Sequence, residues 1–86
     1  MSDPYRIAQA AIAELKSAVR LFLESAGESG ATNAMIGRSL GIYAGHVGHE
    51  GHVSRTILGL LEAEGIVVQD AHSKIWKLRR FAKDSE

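Results

Sequence analysis

The longest stretch of this 86-residue chain without glycine or proline lies between Pro4 and Gly27. Asp3 is a good N-cap, and proline suits the first helical position, where its missing N–H costs no hydrogen bond. Gly27 is a natural helix stop. We therefore predict a helix over residues 4–26. The chain should form one domain, because half of it could not build a core of its own.

Apolar residues cover an arc of this helix about twice as wide as the roughly 100° stripe that a surface helix needs. A packing seam with alternating spacings of three and four runs along it. It consists of Tyr5, Ala8, Ile12, Leu15, Val19 and Phe22. Either the helix is buried in its own domain, or one side packs on the domain and another on a second copy. Because so short a chain has little with which to enclose the helix, we expect a homodimer. The residues expected at its interface are Ile12, Leu15, Val19 and Phe22.

Two further helices are predicted in the middle of the chain. Thr32 is a suitable N-cap for a short helix over Asn33–Leu40, which Gly41 would end. The second helix covers Val53–Gly65 and is amphipathic. Its inward residues are expected to be Ser54, Ile57, Leu58 and Leu61, with Val53 and Leu60 at the edge. Its outward residues are expected to be Arg55, Thr56, Gly59 and Ala63.

The last third of the chain predicts a β-hairpin. Residues 66–70 and 75–79 are strand-like and flank a polar turn. Trp76 and Leu78 alternate with Lys77 and Arg79, which predicts one side facing the core and one basic side. Residues 81–86 are expected to form a frayed tail. The predicted fold class is therefore mainly α with a small β-hairpin.

This order of elements, together with two motifs, resembles the winged helix-turn-helix family. The segment Thr32–Ile42 is similar to the T-x-x-x-I-A-x-x-L-G-I second helix of those proteins. The segment Ser54–Val67, with S-R at its start and L-E-x-x-G-x-V at its end, is similar to their recognition helix and entry to the wing. Residues 76–78 fit the closing strand of the wing. The resemblance covers most of residues 32–78. It implies one winged-helix domain over residues 1–86. Its parts would be the N-terminal helix 4–26, the helix-turn-helix 32–65, the wing 66–79 and the tail 80–86.

The same resemblance implies which residues meet DNA, because in that family the second motif helix enters the major groove. It nominates His52, Arg55 and Thr56 as contacts on this helix, with Gly59 permitting close backbone approach. The remaining nominated residues contact phosphates and are Arg38, Lys74, Lys77 and Arg79. Two features differ from the family pattern: the connection over residues 41–51 is longer and richer in glycine, and Gly59 stands where Lys or Arg is common.

The charge distribution leaves two functions open. Formal net charge is zero, which is unusual for a nucleic-acid binder. Residues 74–83, however, contain five basic residues and no acidic one. We expect sequence-specific binding of duplex DNA by a small transcriptional regulator. The alternative is a winged-helix module that binds another protein and not DNA.

Three consecutive Gly-His-x triplets occupy residues 45–53. With Glu50, their histidines His46, His49 and His52 could ligate zinc, although a glycine-rich loop is poorly preorganised for a metal. Protonation of these histidines and of His72 could instead add positive charge near DNA at mildly acidic pH. They could also be loop residues without a special role. We expect no metal or other cofactor.

Other classes of function find little support in the sequence. The chain lacks cysteine, which excludes disulfides and thiolate metal sites. Neither a phosphate-binding loop nor a serine nucleophile motif is present, and the chain is too short for a sizeable cleft, so we expect neither an enzyme nor a small-molecule receptor. No signal-like or membrane-spanning apolar run occurs, so we expect a cytoplasmic protein without a membrane partner.

Overall fold

A computed structural model describes residues 3–43 and 50–82 of the chain. Over these residues the fold consists of three α-helices followed by one antiparallel hairpin, which confirms the predicted mainly helical class. The elements are α1 (Pro4–Ala26), α2 (Asn33–Ser39), α3 (His52–Ala63), β1 (Val67–Gln69) and β2 (Trp76–Leu78). Short 3₁₀ turns cover Gly27–Ser29 and Arg79–Phe81.

The predicted bounds of α1 are confirmed. The Asp3 carboxylate accepts a hydrogen bond from the backbone N–H of Tyr5 at 3.0 Å, which caps the first turn. At the other end Gly27 donates its N–H to the carbonyl oxygen of Leu23. Both ends are therefore determined by residues next to the helix in sequence.

The helices α2 and α3 also begin and end close to where the sequence predicts. The Thr32 hydroxyl accepts a hydrogen bond from the N–H of Met35 at 3.2 Å, which confirms it as the N-cap of α2. That helix is one residue shorter than predicted, because Leu40 is its C-cap. Beyond α3, Gly65 adopts φ 78°, and the N–H of Ile66 bonds to the carbonyl oxygen of Leu61 at 2.9 Å. This is the expected left-handed ending.

The hairpin strands are shorter than predicted, and a single residue extends their sheet. Val68 lies opposite Lys77 in the antiparallel register. On the other edge of β2, Ala31 and Trp76 exchange two backbone hydrogen bonds of 2.9 and 2.8 Å. Glycine is required just before this bridge, because a Cβ on Gly30 would lie 2.4 Å from the carbonyl oxygen of Trp76. Hence β2 lies between β1 and the segment that joins α1 to α2.

The core lies where the C-terminal half of α1 meets α3 and the hairpin. Its buried apolar side chains are Val19, Leu23, Ala31, Ile36, Ile57, Leu58, Leu61, Val67, Trp76 and Leu78. Ser54 is buried among them and donates its hydroxyl to the carbonyl oxygen of Gly51 at 3.3 Å. The inward side of α3 is therefore as predicted.

Two predictions about packing need correction. The prediction that the tail frays from Phe81 onward is wrong at its start, because Phe81 is half-buried and packs against the core. Of the four residues predicted at a dimer interface, Val19 is fully buried in the chain's own core and is unavailable to a second copy. Ile12, Leu15 and Phe22 pack beside it and are only partly buried, so a contact through these three stays a prediction. None of the helices in the described ranges combines the length and the apolar composition that a membrane span requires.

Candidate nucleic-acid interface

The outward side of α3 presents the residues that the sequence predicts for DNA contact. His52, Arg55 and Thr56 are exposed and together line an open depression of about 260 Å³. One turn further along, Gly59 is also exposed, and a Cβ there would meet nothing within 4 Å. The structure thus brings the four predicted residues of α3 onto one accessible surface, which we call the α3 face.

A close contact between α2 and α3 holds this face in position. A Cβ on Gly37 would lie 2.8 Å from Cδ1 of Tyr43 and 2.9 Å from Oγ of Ser54, so only glycine allows the two helices to approach this closely. Asn33 on α2 donates its side-chain amide to the carbonyl oxygen of Gly51, directly before α3, at 3.3 Å. Sequence reasoning missed Asn33, Gly37 and Tyr43. A glycine inside the short helix α2 was the available signal.

Arg38 lies on the exposed side of α2, as a phosphate contact would require. Its guanidinium is positioned over the ring of Tyr43, 4.6 Å from the ring centroid. Such a cation–π contact restricts the side chain while leaving guanidinium N–H groups available to an anion. Arg38 is therefore held by the same tyrosine that packs between α2 and α3.

The hairpin contributes Lys77 and Lys74 to the basic surface. Lys77 is half-buried in β2, and Lys74 is exposed in the turn. The same turn holds a negative charge at Asp70. Its carboxylate accepts hydrogen bonds from the N–H groups of Ser73 at 2.7 Å and His72 at 3.0 Å. The bonds from Ser73, followed by those from His72, lower the pKa of Asp70. This carboxylate offsets part of the positive charge at the tip.

Arg79 does not share the outer face of the hairpin with Lys77. It lies in the 3₁₀ turn after β2 and donates Nε to the carbonyl oxygen of Gly65, at the end of α3, at 3.1 Å. It lines a different depression from Lys77, beside Arg80, whose guanidinium is paired with Glu24. Burial of Trp76 and Leu78 confirms the core-facing side predicted for this strand, whereas Arg79 lies beyond the strand, which ends at Leu78.

The chain matches no protein-family model, no curated protein and no solved structure.

The cations on the described surface fall into two groups, those that are paired with a carboxylate and those that are not. Within the described ranges, Lys16 and Arg80 form ion pairs with carboxylates. Among the predicted DNA contacts, Arg79 forms no ion pair in the same ranges but donates to the carbonyl oxygen of Gly65. Those with neither kind of partner there are Arg38, Arg55, Lys74 and Lys77. These unpaired cations are available to an anionic partner.

The histidine predictions are covered only in part. His46 and His49 lie outside the described residues, so the three alternatives for the histidines, a zinc site, a proton-sensing cluster and loop residues without a special role, are not tested. His52 is on the α3 face, and His72 is exposed in the hairpin turn. Across residues 3–43 and 50–82, no three potential ligands from His, Cys, Asp and Glu lie close enough together to hold a metal.

Proposed function

We propose that this chain is a winged helix-turn-helix protein that binds duplex DNA through the α3 face. The observation that carries the proposal is the exposed, unpaired Arg55 beside His52 and Thr56, on a helix whose other side is buried. The order of the elements supports the fold assignment. So does the bridge between Ala31 and Trp76, which ties the hairpin to the segment before α2.

The size and chemistry of the α3 face fit the major groove. An α-helix with its side chains is about 10–12 Å across, and the major groove is about 12 Å wide. Arg55 can donate two hydrogen bonds to the O6 and N7 atoms of guanine, whereas Thr56 can contact either a base edge or a thymine methyl group. Because Gly59 has no side chain, the helix can lie close to the DNA at that point.

Phosphate contacts would come from outside α3. Lys74 and Lys77 on the hairpin and Arg38 on α2 are the unpaired cations with that role in the proposal. Such contacts position a protein on the duplex without reading its sequence. We therefore assign sequence preference to α3 and most of the salt dependence to the three flanking cations. In a cell, this activity is that of a small cytoplasmic transcriptional regulator.

A protein-binding role is the second candidate, and the zero net charge favours it. Val53 and Leu60 on the flank of α3 are each 38% exposed, which offers an apolar edge beside the α3 face. In this alternative, the same helix would dock on another protein.

An NMR titration with mixed-sequence duplex DNA at low salt separates the two candidates. DNA binding predicts shifts at the amides of Arg55 and Lys77, and an Arg55→Ala variant should bind at least tenfold more weakly. Arg20→Ala is the matched control, since Arg20 is exposed on α1 and also forms no ion pair within the described ranges. An unchanged spectrum, or equal losses from both variants, would overturn the proposal and favour the protein-binding role.

A further inference from the structure

The N-terminal part of α1 extends beyond the rest of the domain. Every residue from Asp3 to Ala11 is exposed, including Tyr5 at 70% and Ile7 at 57%. We call residues 4–11 the overhang. The chain is correspondingly elongated, with principal extents of 50 × 29 × 20 Å and a radius of gyration of 13.6 Å. A compact domain of this length has a radius of gyration of about 12 Å.

The surface area of the chain is also larger than its mass requires. It exposes 5911 Å², whereas a folded monomer of this mass exposes about 5,000 Å². The exposed overhang contributes to this excess of roughly 900 Å².

One side of the overhang is continuous with an apolar groove. Tyr5 and Ala8 lie on the same side of α1 as Val19 and Leu23, which are buried lower in the helix. Toward the C-terminus of α1, the same side of the helix forms one wall of a groove of about 290 Å³ between α1 and α3. Its lining residues are Ile12, Leu15, His52, Val53, Thr56 and Ile57. The overhang and the groove thus form one continuous apolar surface.

We propose that a second copy of this chain covers the overhang and the α1 side of the groove, at Ile12 and Leu15, with the two overhangs packed antiparallel about a two-fold axis near Gln9. His52 and Thr56, on the α3 side of the groove, stay open to DNA. In that arrangement Tyr5 of each copy lies opposite residue 13 of the other, level with the groove between Ile12 and Leu15. The overhang and the groove lie on the same chain, so each copy presents both of them to the other. This is the self-complementarity that a two-fold interface requires.

Two further features are compatible with this occupant. Ala8, which the proposed arrangement puts beside the axis, is exposed, and its small side chain would let the helices approach closely. Two copies with zero net charge also do not repel one another. The pairing itself does not rest on DNA binding. It deepens the proposed function, however, because the groove borders His52 and Thr56 and the dimer would hold two α3 faces at a defined spacing.

Sedimentation of the full chain without DNA tests the pairing. At tens of micromolar the wild type should sediment at twice the 9.3 kDa chain mass. Ala8→Glu should raise the dissociation constant at least tenfold, because it places a charge between the overhangs. Ala10→Glu is the matched control: it makes the same substitution at an exposed residue on the opposite side of the overhang. It should leave the dimer intact.

Cysteine cross-linking supplies a geometric check, because the chain has no cysteine of its own. Ala8→Cys should form an intermolecular disulfide under mild oxidation, whereas Ala10→Cys should not, since a disulfide needs Cα atoms within about 7 Å. A monomeric wild type, a dimer indifferent to Ala8→Glu, or equal cross-linking at both positions would overturn the proposal. Sedimentation without DNA and the duplex titration are independent, so failure of one proposal is distinguishable from failure of the other.

Discussion

At the scale of single residues, two glycines inside helices have opposite roles. Gly37 allows α2 and α3 to approach, and a Cβ there would overlap Tyr43 and Ser54. Gly59 faces open space in α3. We expect Gly37→Ala to lower the free energy of unfolding by about 1–3 kcal/mol through overpacking. Gly59→Ala should raise it by about 0.5–1 kcal/mol through helix propensity. Urea denaturation measures both, and a neutral Gly37→Ala would contradict the close packing.

Gly59 also links stability to the proposed function. If its bare backbone lies against DNA, Gly59→Ala should weaken duplex binding several-fold even as it stabilises the fold. Fluorescence anisotropy with a labelled duplex measures the loss. Ala63→Gly offers a control, since it removes a methyl group from the same exposed side of α3. Unchanged affinity of Gly59→Ala would mean that the DNA does not approach the helix at this residue.

At the scale of elements, α2 depends on its N-cap, because a helix of 7 residues has few hydrogen bonds of its own. Removing the Thr32 hydroxyl leaves the N–H of Met35 without its partner. We expect Thr32→Ala to cost about 1 kcal/mol of stability. Thr56→Ala makes the same change on the exposed side of α3 and should stay within about 0.5 kcal/mol of the wild type. Equal effects in thermal denaturation would argue against the capping role.

The hairpin turn should respond to acid through Asp70. Its folded-state pKa lies below the ordinary value of 3.8, so the ionised carboxylate stabilises the turn above the unfolded-state pKa. That contribution is lost as the pH falls through the folded-state pKa. We expect the amide proton shifts of Ser73 and His72 to move together across this acidic range. In Asp70→Asn they should become insensitive to pH, and persistent titration of both amides would assign the effect to another group.

At the scale of the whole molecule, the elongated shape connects stability to association. If the overhangs pair as proposed, the melting temperature of the wild type should rise with protein concentration, since a partner that binds only the folded state stabilises it. The melting temperature of Ala8→Glu should be independent of concentration over the same range. Scanning calorimetry at several concentrations measures this. A wild type that melts at one temperature throughout would indicate a folded monomer.

The salt dependence of DNA binding also belongs to the whole surface. Because the proposed phosphate contacts release counterions, affinity should fall steeply as salt rises. Lys77→Ala should reduce the slope of log affinity against log salt concentration by the amount that about one phosphate contact contributes. It should also weaken binding to all sequences alike. Lys16→Ala is a suitable control, because Lys16 is paired with Glu64 in the folded chain. An unchanged slope for Lys77→Ala would remove the hairpin from the proposed interface.

The sequence alone determined the helix ends and the inward side of α3. Asp3, Thr32 and Gly65 act on backbone groups within a few residues of themselves, so local chemistry is sufficient to place them. Amphipathic spacing likewise predicts which side of a helix is buried, because it depends only on helical geometry. The exposed positions of Arg55 and Thr56 could be predicted for this reason, whereas their role toward DNA, like that of His52, comes from the family resemblance alone.

Only the tertiary structure decided which surfaces meet. Val19 is buried because α1 lies across α3 and the hairpin, and Arg79 turns toward Gly65 because β2 ends one residue earlier. The close packing at Gly37 and the exposed overhang similarly depend on residues distant in sequence. Both features follow from how the helices and the hairpin pack against one another. The spacing of residues along one helix or strand carries no information about this packing.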